Sequence, residues 1–225
     1  MSTAGDVLLL PRPIITIGTP QDATVDLPIQ ALLRHRHALL IREKLPGPRG
    51  ERHRLVPLAG ATVLVNGGAI PNGGTVWLTH GDRIQFGPEI CRWTYRRTVA
   101  DSATAVLEQT RPDGAVAVTP NGAPIRRVVL LDDELRIGRE AQGNQLVESS
   151  LPVHRLRLFL DGGAWRATVE HGALFVNDGD ESDDLCRPLC LPTELVLFAD
   201  GPELIGSALQ GERREYKRTL KLRVV

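Results

Sequence analysis

Apolar and polar residues alternate over short stretches along most of the chain, and no part of residues 1–100 carries a helical period. The stretch 90–97 shows the pattern, because Cys91, Trp93 and Tyr95 alternate with more polar side chains. Alternation with a period of two is typical of strands that are buried on one face. The nearly continuous apolar run His37–Ile41 predicts a strand buried on both faces. The pattern therefore predicts an all-β protein.

Turn-forming residues separate the predicted strands at close intervals. Asn66-Gly67 and Asp161-Gly162-Gly163 each stand between two such strands, and both sequences tolerate the positive φ angles of tight hairpins. The chain also holds 22 glycines and 16 prolines, which are spread along its length. Many short strands joined by turns predict antiparallel β-sandwiches.

One order of motifs occurs twice. Each copy has a strand ending in Gly, a loop, a His that opens an apolar strand, a second strand ending in Asn, and a closing Gly. The matched pairs are Gly18 and Gly138, His37 and His154, Asn66 and Asn177, and Gly87 and Gly206. The opening glycines lie 120 positions apart, which is too long for a solenoid period. We therefore predict two tandem domains, residues 1–98 and 105–225, joined by a small polar linker.

Composition and charge narrow the functional classes. Hydrophobic residues make up 42% and charged residues 24%, a balance typical of soluble globular proteins. The absence of a signal-peptide pattern and of a long apolar run leads us to expect a cytoplasmic location and no membrane contact. The net charge of zero argues against general nucleic-acid binding.

The two halves of the chain differ in charge. Residues 1–100 hold 12 Lys/Arg and 7 Asp/Glu, giving +5, whereas residues 101–225 hold 15 and 20, giving −5. One hypothesis is that the two domains attract each other, or that two chains associate head to tail. The alternative is two unrelated solvated surfaces. A salt titration of the association distinguishes them.

No enzyme motif is visible. The sequence lacks a nucleophile elbow, a phosphate-binding loop, a dinucleotide turn and a metal triad, so we predict a protein that is not an enzyme and needs no cofactor. Cys186 and Cys190 have no second ligand pair for zinc, and Asp178–Asp184 lacks the glutamate that closes a calcium loop. A metal-dependent or accessory enzyme subunit remains a remote alternative.

The run Arg34-His35-Arg36-His37 is compatible with several chemistries. On one strand, His35 and His37 would share a face with their Cα atoms about 7 Å apart, a spacing that could suit zinc. No second ligand pair stands at metal-site spacing, however. A nucleic-acid patch is the other alternative, and an anion site formed by the arginines is the third.

The repeated order of motifs resembles the forkhead-associated (FHA) domain, a SMAD/FHA-like β-sandwich, and two copies would cover nearly all of the chain. The segments Val65-Asn66-Gly67 and Thr79–Gly87, the latter with its Gly-Asp-x-Ile-x-Phe-Gly close, carry the resemblance best. It implies a non-enzymatic domain whose loops bind a phosphothreonine peptide of a protein partner, as in signalling. It also implies the roles of an Arg and a Ser that hold the phosphate, an Asn that holds the peptide backbone, and a His that supports the loops.

Neither copy carries the complete motif of that family. In the first, Thr19 stands at the Arg position and Arg34 at the Ser position, so Thr19, Arg34, Arg36 and Asn66 form a degenerate candidate site, and His37 is the loop support. In the second, Leu151 stands at the Ser position. The second set of candidate ligands is Arg139, Ser149, Ser150 and Asn177, with His154 as loop support.

Two mechanisms follow from this incomplete motif. In one, the second domain binds phosphothreonine through Arg139 and the first is a degenerate copy. In the other, both copies have lost phosphate recognition and act as scaffolds for assembly or dimerisation. Whether affinity depends on the phosphate separates the two.

Overall fold

A computed structural model describes residues 6–44, 51–87, 92–97, 103–110, 116–118, 124–132, 134–138, 145–147, 156–169, 173–176, 189, 193–203 and 215–224. All regular structure in these residues is β-strand, so the all-β prediction is confirmed. The chain divides into two compact units, the N-terminal unit Gly5–Asp133 and the C-terminal unit Glu134–Val224.

Thirteen strands are described in the N-terminal unit. They are β1 (Asp6–Leu10), β2 (Ile14–Gly18), β3 (Leu27–Gln30), β4 (Arg36–Lys44), β5 (Glu51–Pro57), β6 (Val63–Val65), β7 (Gly68–Ala69), β8 (Val76–Trp77), β9 (Arg83–Phe86), β10 (Arg92–Arg97), β11 (Ala105–Gln109), β12 (Val116–Val118) and β13 (Pro124–Leu130). They form one curled sheet in the order β7-β6-β9-β10-β11-β13-β12-β3-β2-β4-β5-β8, with β1 beside β13.

The curled sheet is mixed rather than wholly antiparallel. The pairs β2–β3 and β1–β13 are parallel, whereas the remaining pairs of this unit are antiparallel. Apolar side chains from both ends of the strand order meet in one core cluster, which includes Ile17, Leu40, Ile84, Trp93 and Leu107. The arrangement is a β-sandwich made by folding one sheet over on itself.

Alternation in the sequence accounts for the burial of most strands. In β9, Ile84 and Phe86 are buried while Arg83 is exposed, as a strand with one buried face requires. The prediction for His37–Ile41 was wrong in one respect, because Leu39 and Ile41 are only half-buried. Only one face of β4 lies against the core cluster.

The tryptophans differ in burial: Trp93 and Trp165 are buried, whereas Trp77 is 37% exposed. Trp77 lies in the two-residue strand β8 at the end of the strand order, where only one side of the strand has a neighbour. The Arg54 guanidinium lies 6.0 Å from the centre of its ring. Trp77 therefore lies at the sheet edge in a cation–π contact with Arg54 and does not pack in the core.

Strands β11 to β13 belong to the N-terminal unit. Strand β11 pairs with β10, so that Leu107 stands opposite Tyr95, and on its other side with β13. Arg42 of β4 reinforces the connection, because its guanidinium donates to the Leu131 carbonyl at 2.9 Å and pairs with Asp132 at 2.8 Å. The compact units therefore divide between residues 133 and 134, while the boundaries 1–98 and 105–225 of the sequence repeat stay a prediction.

Seven strands are described in the C-terminal unit. They are β14 (Glu134–Gly138), β15 (Gln145–Val147), β16 (Leu156–Asp161), β17 (Ala164–Val169), β18 (Ala173–Val176), β19 (Thr193–Glu203) and β20 (Glu215–Val224). The first four form a sheet in the order β15-β14-β16-β17, and β18, β19 and β20 are joined by antiparallel pairing. The hairpin between β16 and β17 turns at Gly162 and Gly163, whose φ angles are 57° and 81°, as the sequence predicted.

The two units repeat one pattern of strand pairing. In the N-terminal unit β2 pairs with β3 in parallel and with β4 antiparallel, and β4 continues to β5. In the C-terminal unit β14 pairs with β15 in parallel and with β16 antiparallel, and β16 continues to β17. The antiparallel succession β6–β9–β10 likewise has a counterpart in β18–β19–β20.

Candidate functional site

The end of β2 lies directly against the loop that precedes β4. The Thr19 amide donates to the His35 carbonyl at 3.1 Å, and Thr19 itself is only 8% exposed. A Cβ atom at Gly18 would lie 1.9 Å from that same carbonyl oxygen. Glycine is required here for the close approach of two backbones. This contact sets the spacing of the two loops.

Substitution of Gly18 tests this spacing. Gly18→Ala places a methyl group on the His35 carbonyl, so we expect a loss of about 1–3 kcal/mol or more in the free energy of unfolding. Gly68→Ala is the matched control, because the nearest atom to its added Cβ is at 3.5 Å, an ordinary contact. Urea denaturation of both variants measures the difference. Equal stability of the two variants would contradict a close approach at Gly18.

His37 connects two loops through its ring. Its Nδ1 accepts the Arg34 amide N–H at 3.4 Å, which leaves the proton on Nε2, and Nε2 donates to the Thr62 carbonyl at 3.0 Å. Burial lowers the pKa of His37, the Thr62 contact opposes this, and the nearby Arg34 charge adds to the lowering. The ring is therefore neutral at pH 7. Its role as a loop support stays a prediction, and these are the contacts such a role needs.

Arg34 presents a cation at the surface where the end of β2 meets the loop that precedes β4, a region we call the loop end. Arg34 is exposed, and its Nε donates to the Gly60 carbonyl at 2.9 Å. Among the described residues no carboxylate pairs with the Arg34 guanidinium. One N–H of the guanidinium thus anchors the group, while its positive charge has no counter-charge in this part of the protein. Such a group suits an anionic ligand.

Arg36 is held differently. Its Nη2 donates to the Thr24 hydroxyl at 2.7 Å, and its Nε lies 3.5 Å from an Asp22 carboxylate oxygen. Hydrogen bonds from the Thr24 hydroxyl and amide lower the pKa of Asp22, and the Arg36 charge adds to the effect. Asp22 is therefore ionised at neutral pH and offsets the Arg36 charge. Arg36 is the less available of the two cations.

Asn66 lies away from these loops. It occupies the two-residue turn between β6 and β7 with a φ of 53°, and Gly67 beside it has a φ of 86°. Its side-chain amide donates to Asp82 at 2.8 Å, and its side-chain oxygen accepts the Arg83 amide N–H at 2.9 Å. Thr62 directly precedes the other end of β6, about 13 Å away by the rise of four strand residues. The structure brings Thr19, Arg34 and Arg36 together and leaves Asn66 apart.

The candidate residues of the second copy lie outside the described part of the chain. They are Arg139, Ser149, Ser150, His154 and Asn177, and Cys186 and Cys190 lie outside it too. Their roles stay predictions.

Sequence reasoning missed the segment that completes the loop end. Gly60 and Thr62 offer the carbonyls that hold Arg34 and His37, and Asp22 and Thr24 hold Arg36. Backbone carbonyls leave no signature in a sequence. The Asp-x-Thr spacing was a usable sequence signal, because Asp side chains commonly accept a hydrogen bond from the backbone N–H two residues on. Asp22 accepts the Thr24 amide N–H in this way at 2.9 Å.

The metal alternative drew on His35 and His37 sharing a face of a strand. The strand β4 begins at Arg36, and its pairing with β2 has an irregularity between Ile17 and Gly18. His35 is therefore exposed before the strand while His37 is buried in it. Within the described ranges, no group of three or more His, Cys, Asp or Glu side chains could hold a metal ion. The same ranges contain no helix long and apolar enough to cross a membrane.

Comparison with protein families identifies part of this unit. Residues 15–87 match the family model of the FHA domain. That stretch runs from β2 to the end of β9 and contains Gly18, Arg34 and His37, and the all-β, curled sheet agrees with an FHA β-sandwich. No curated protein matches the sequence. FHA domains are non-enzymatic interaction modules that bind protein partners, often at phosphothreonine.

Proposed function

We propose that the N-terminal unit is an FHA-type interaction module that binds an anionic, phosphothreonine-containing segment of a protein partner, with Arg34 as the principal ligand of the phosphate. The observation that carries the proposal is the Arg34 guanidinium, exposed at the loop end, anchored by Gly60, and without a carboxylate partner among the described residues. The whole chain, on this view, acts by binding and not by catalysis.

Charge and geometry support Arg34 over its neighbours. A phosphorylated side chain carries a charge of about −1.5 to −2 and three acceptor oxygens, which a guanidinium fork matches well. Thr19 can offer no charge and is largely covered, and Arg36 is already engaged by Asp22 and Thr24. The exposed His35 of the same loop and Arg36, the first residue of β4, then assist.

Binding of an oriented phosphothreonine peptide library to the full chain tests this role. Arg34→Gln removes a charge-assisted bond worth about 1.5–3 kcal/mol, so we expect affinity to fall by roughly 10- to 150-fold. Arg96→Gln is the matched control, since Arg96 is an exposed arginine of β10 that pairs with Glu108 at 3.1 Å. Equal losses in the two variants would mean that only overall charge matters.

A second candidate function is a scaffold that mediates assembly or dimerisation without recognising phosphate. The covered Thr19 at the position of the family's Arg and the ion pair between Arg36 and Asp22 favour it. Phosphorylated and unphosphorylated forms of the same selected peptides separate the two functions. If neither form binds to the wild-type chain, the phosphate-reading proposal fails and the scaffold stands.

We also propose that the C-terminal unit is a second FHA-like copy. The repeated strand pairing supports this, because Ile137 stands opposite Leu146 and Leu156 as Ile17 stands opposite Leu27 and Ala38. Arg139 would be its phosphate ligand, with Ser149, Ser150 and Asn177 beside it. Arg139→Ala in the same peptide assay shows which copy binds. The cytoplasmic location and the attraction between oppositely charged halves stay predictions.

A further inference from the structure

A cleft of about 410 Å³ opens on the outer face of the N-terminal unit, where β6, β9 and β10 lie side by side. Its polar lining comes from Asn66, Arg83, Gln85 and Arg92, and Leu64 adds an apolar contact. Clefts that hold small ligands are commonly 300–1,000 Å³ in volume. The cleft is large enough for a small charged group together with part of the molecule that carries it.

Strand register places the two arginines of the cleft near each other. Arg92 stands opposite Gln85, and Thr94 stands opposite Arg83, so Arg83 and Arg92 are diagonal neighbours on one face. Diagonal positions of an antiparallel pair are about 7–8 Å apart at Cα, within reach of long side chains. Both residues are exposed. Two guanidinium groups can therefore reach a common ligand.

The carboxylates that the structure describes near this face are already engaged. Glu108 pairs with Arg96 at 3.1 Å and lies 3.6 Å from Arg127. Asp82, next to Arg83 in the chain, is 8% exposed, and its two oxygens accept the Asn66 amide and the Thr79 backbone N–H. Among the described residues neither Arg83 nor Arg92 has an ion-pair partner. Within the part of the chain that the structure describes, the cleft therefore holds two positive charges without a counter-charge.

We propose that this cleft is a second anion site, which takes a phosphoryl group through Arg83 and Arg92. A carboxylate satisfies its two oxygens with a single guanidinium fork, whereas a phosphoryl group has three acceptor oxygens and nearly two charges, enough for two forks. Gln85 stands opposite Arg92 and lines the same cleft; its Nε2 donates one N–H to the Gly87 carbonyl at 3.3 Å and has a second N–H to add. The site is separate from the loop end that carries Arg34, because Asn66 and Thr62 mark opposite ends of β6.

Titration of the full chain with inorganic pyrophosphate, followed by calorimetry and by the NMR signals of the Arg Nε and Gln side-chain amide groups, tests the site. We expect the Arg83, Arg92 and Gln85 signals to shift together. Arg83→Gln and Arg92→Gln should each weaken binding about tenfold or more. Arg96→Gln, on the same strand and face as Arg92, should change it less than twofold, because Glu108 already pairs with Arg96.

Three further measurements make the outcome decisive. In Arg34→Gln, pyrophosphate should still shift the Gln85 signal. This result separates the cleft from the phosphate site proposed at Arg34. Succinate at equal ionic strength should bind at least tenfold more weakly than pyrophosphate. Arg83→Lys keeps the positive charge but loses the guanidinium fork, so it should still weaken pyrophosphate binding. Equal binding of succinate, an equal loss in Arg96→Gln, or an unperturbed Gln85 signal would each overturn the proposal.

Discussion

Leu107→Ala is expected to destabilise the whole N-terminal unit by about 2–5 kcal/mol, although Leu107 lies 20 residues beyond the stretch that matches the FHA domain. Leu107 is fully buried in the core cluster, opposite Tyr95 on one neighbouring strand and Val128 on the other. Removing its side chain leaves a cavity in the core cluster beneath β11. The domain that resembles FHA therefore depends on strands that follow the predicted linker.

Urea denaturation and amide hydrogen exchange measure this effect. Exchange at Ile84 and Phe86, which lie in β9 within residues 15–87, should accelerate with the loss of stability. Leu32→Ala is the matched control, because Leu32 is 73% exposed in the same unit and should change stability by no more than about 0.5 kcal/mol. If exchange accelerates only in β11 and stays slow in β9, then β11 is peripheral to the unit.

Acid should weaken the N-terminal unit through a buried histidine. His53 is 2% exposed, and its Nδ1 lies 3.0 Å from the Tyr95 hydroxyl. Burial lowers the pKa of His53 to about 3, and the charges of Arg42 and Arg97 add to the lowering. The unfolded chain binds a proton at its ordinary pKa near 6.5, whereas the folded protein does not. Stability is therefore full above pH 6.5 and falls by about 1.4 kcal/mol per pH unit down to about pH 3.

At pH 4.5 this amounts to about 3 kcal/mol, which thermal or urea denaturation at a series of pH values detects. The double variant His53→Phe with Tyr95→Phe removes both partners of the hydrogen bond, so it should cost little at pH 7. Between pH 6.5 and pH 3, unfolding of the double variant should take up one proton fewer than unfolding of the wild type. The stability of the variant should therefore vary less with pH. His37 remains in both proteins and contributes equally to each. Identical pH profiles would show that His53 is protonated in the folded state.

The local pattern of residues was enough to predict much of the fold. Alternation in the stretch 90–97 predicted the strand Arg92–Arg97, and Asn66-Gly67 and Gly162-Gly163 marked two hairpin turns. These features depend on the positions of neighbours along the chain, because side-chain direction alternates along a strand and only certain residues accept positive φ. The FHA resemblance came from the order of short local motifs, and residues 15–87 match the family model of that domain.

Strand partners and loop contacts could not be read in this way. Nothing near Ala105–Gln109 in the sequence shows that this strand pairs with β10, and nothing near Asn66 shows that its amide is taken by Asp82. The carbonyls of Gly60 and Thr62, which hold Arg34 and His37, come from a different part of the chain. The sequence by itself determined the strands, the turns and the kinds of charged groups present. Only the tertiary structure decided which cations keep a free charge, since ion pairs and buried hydrogen bonds form between residues that are distant in the chain.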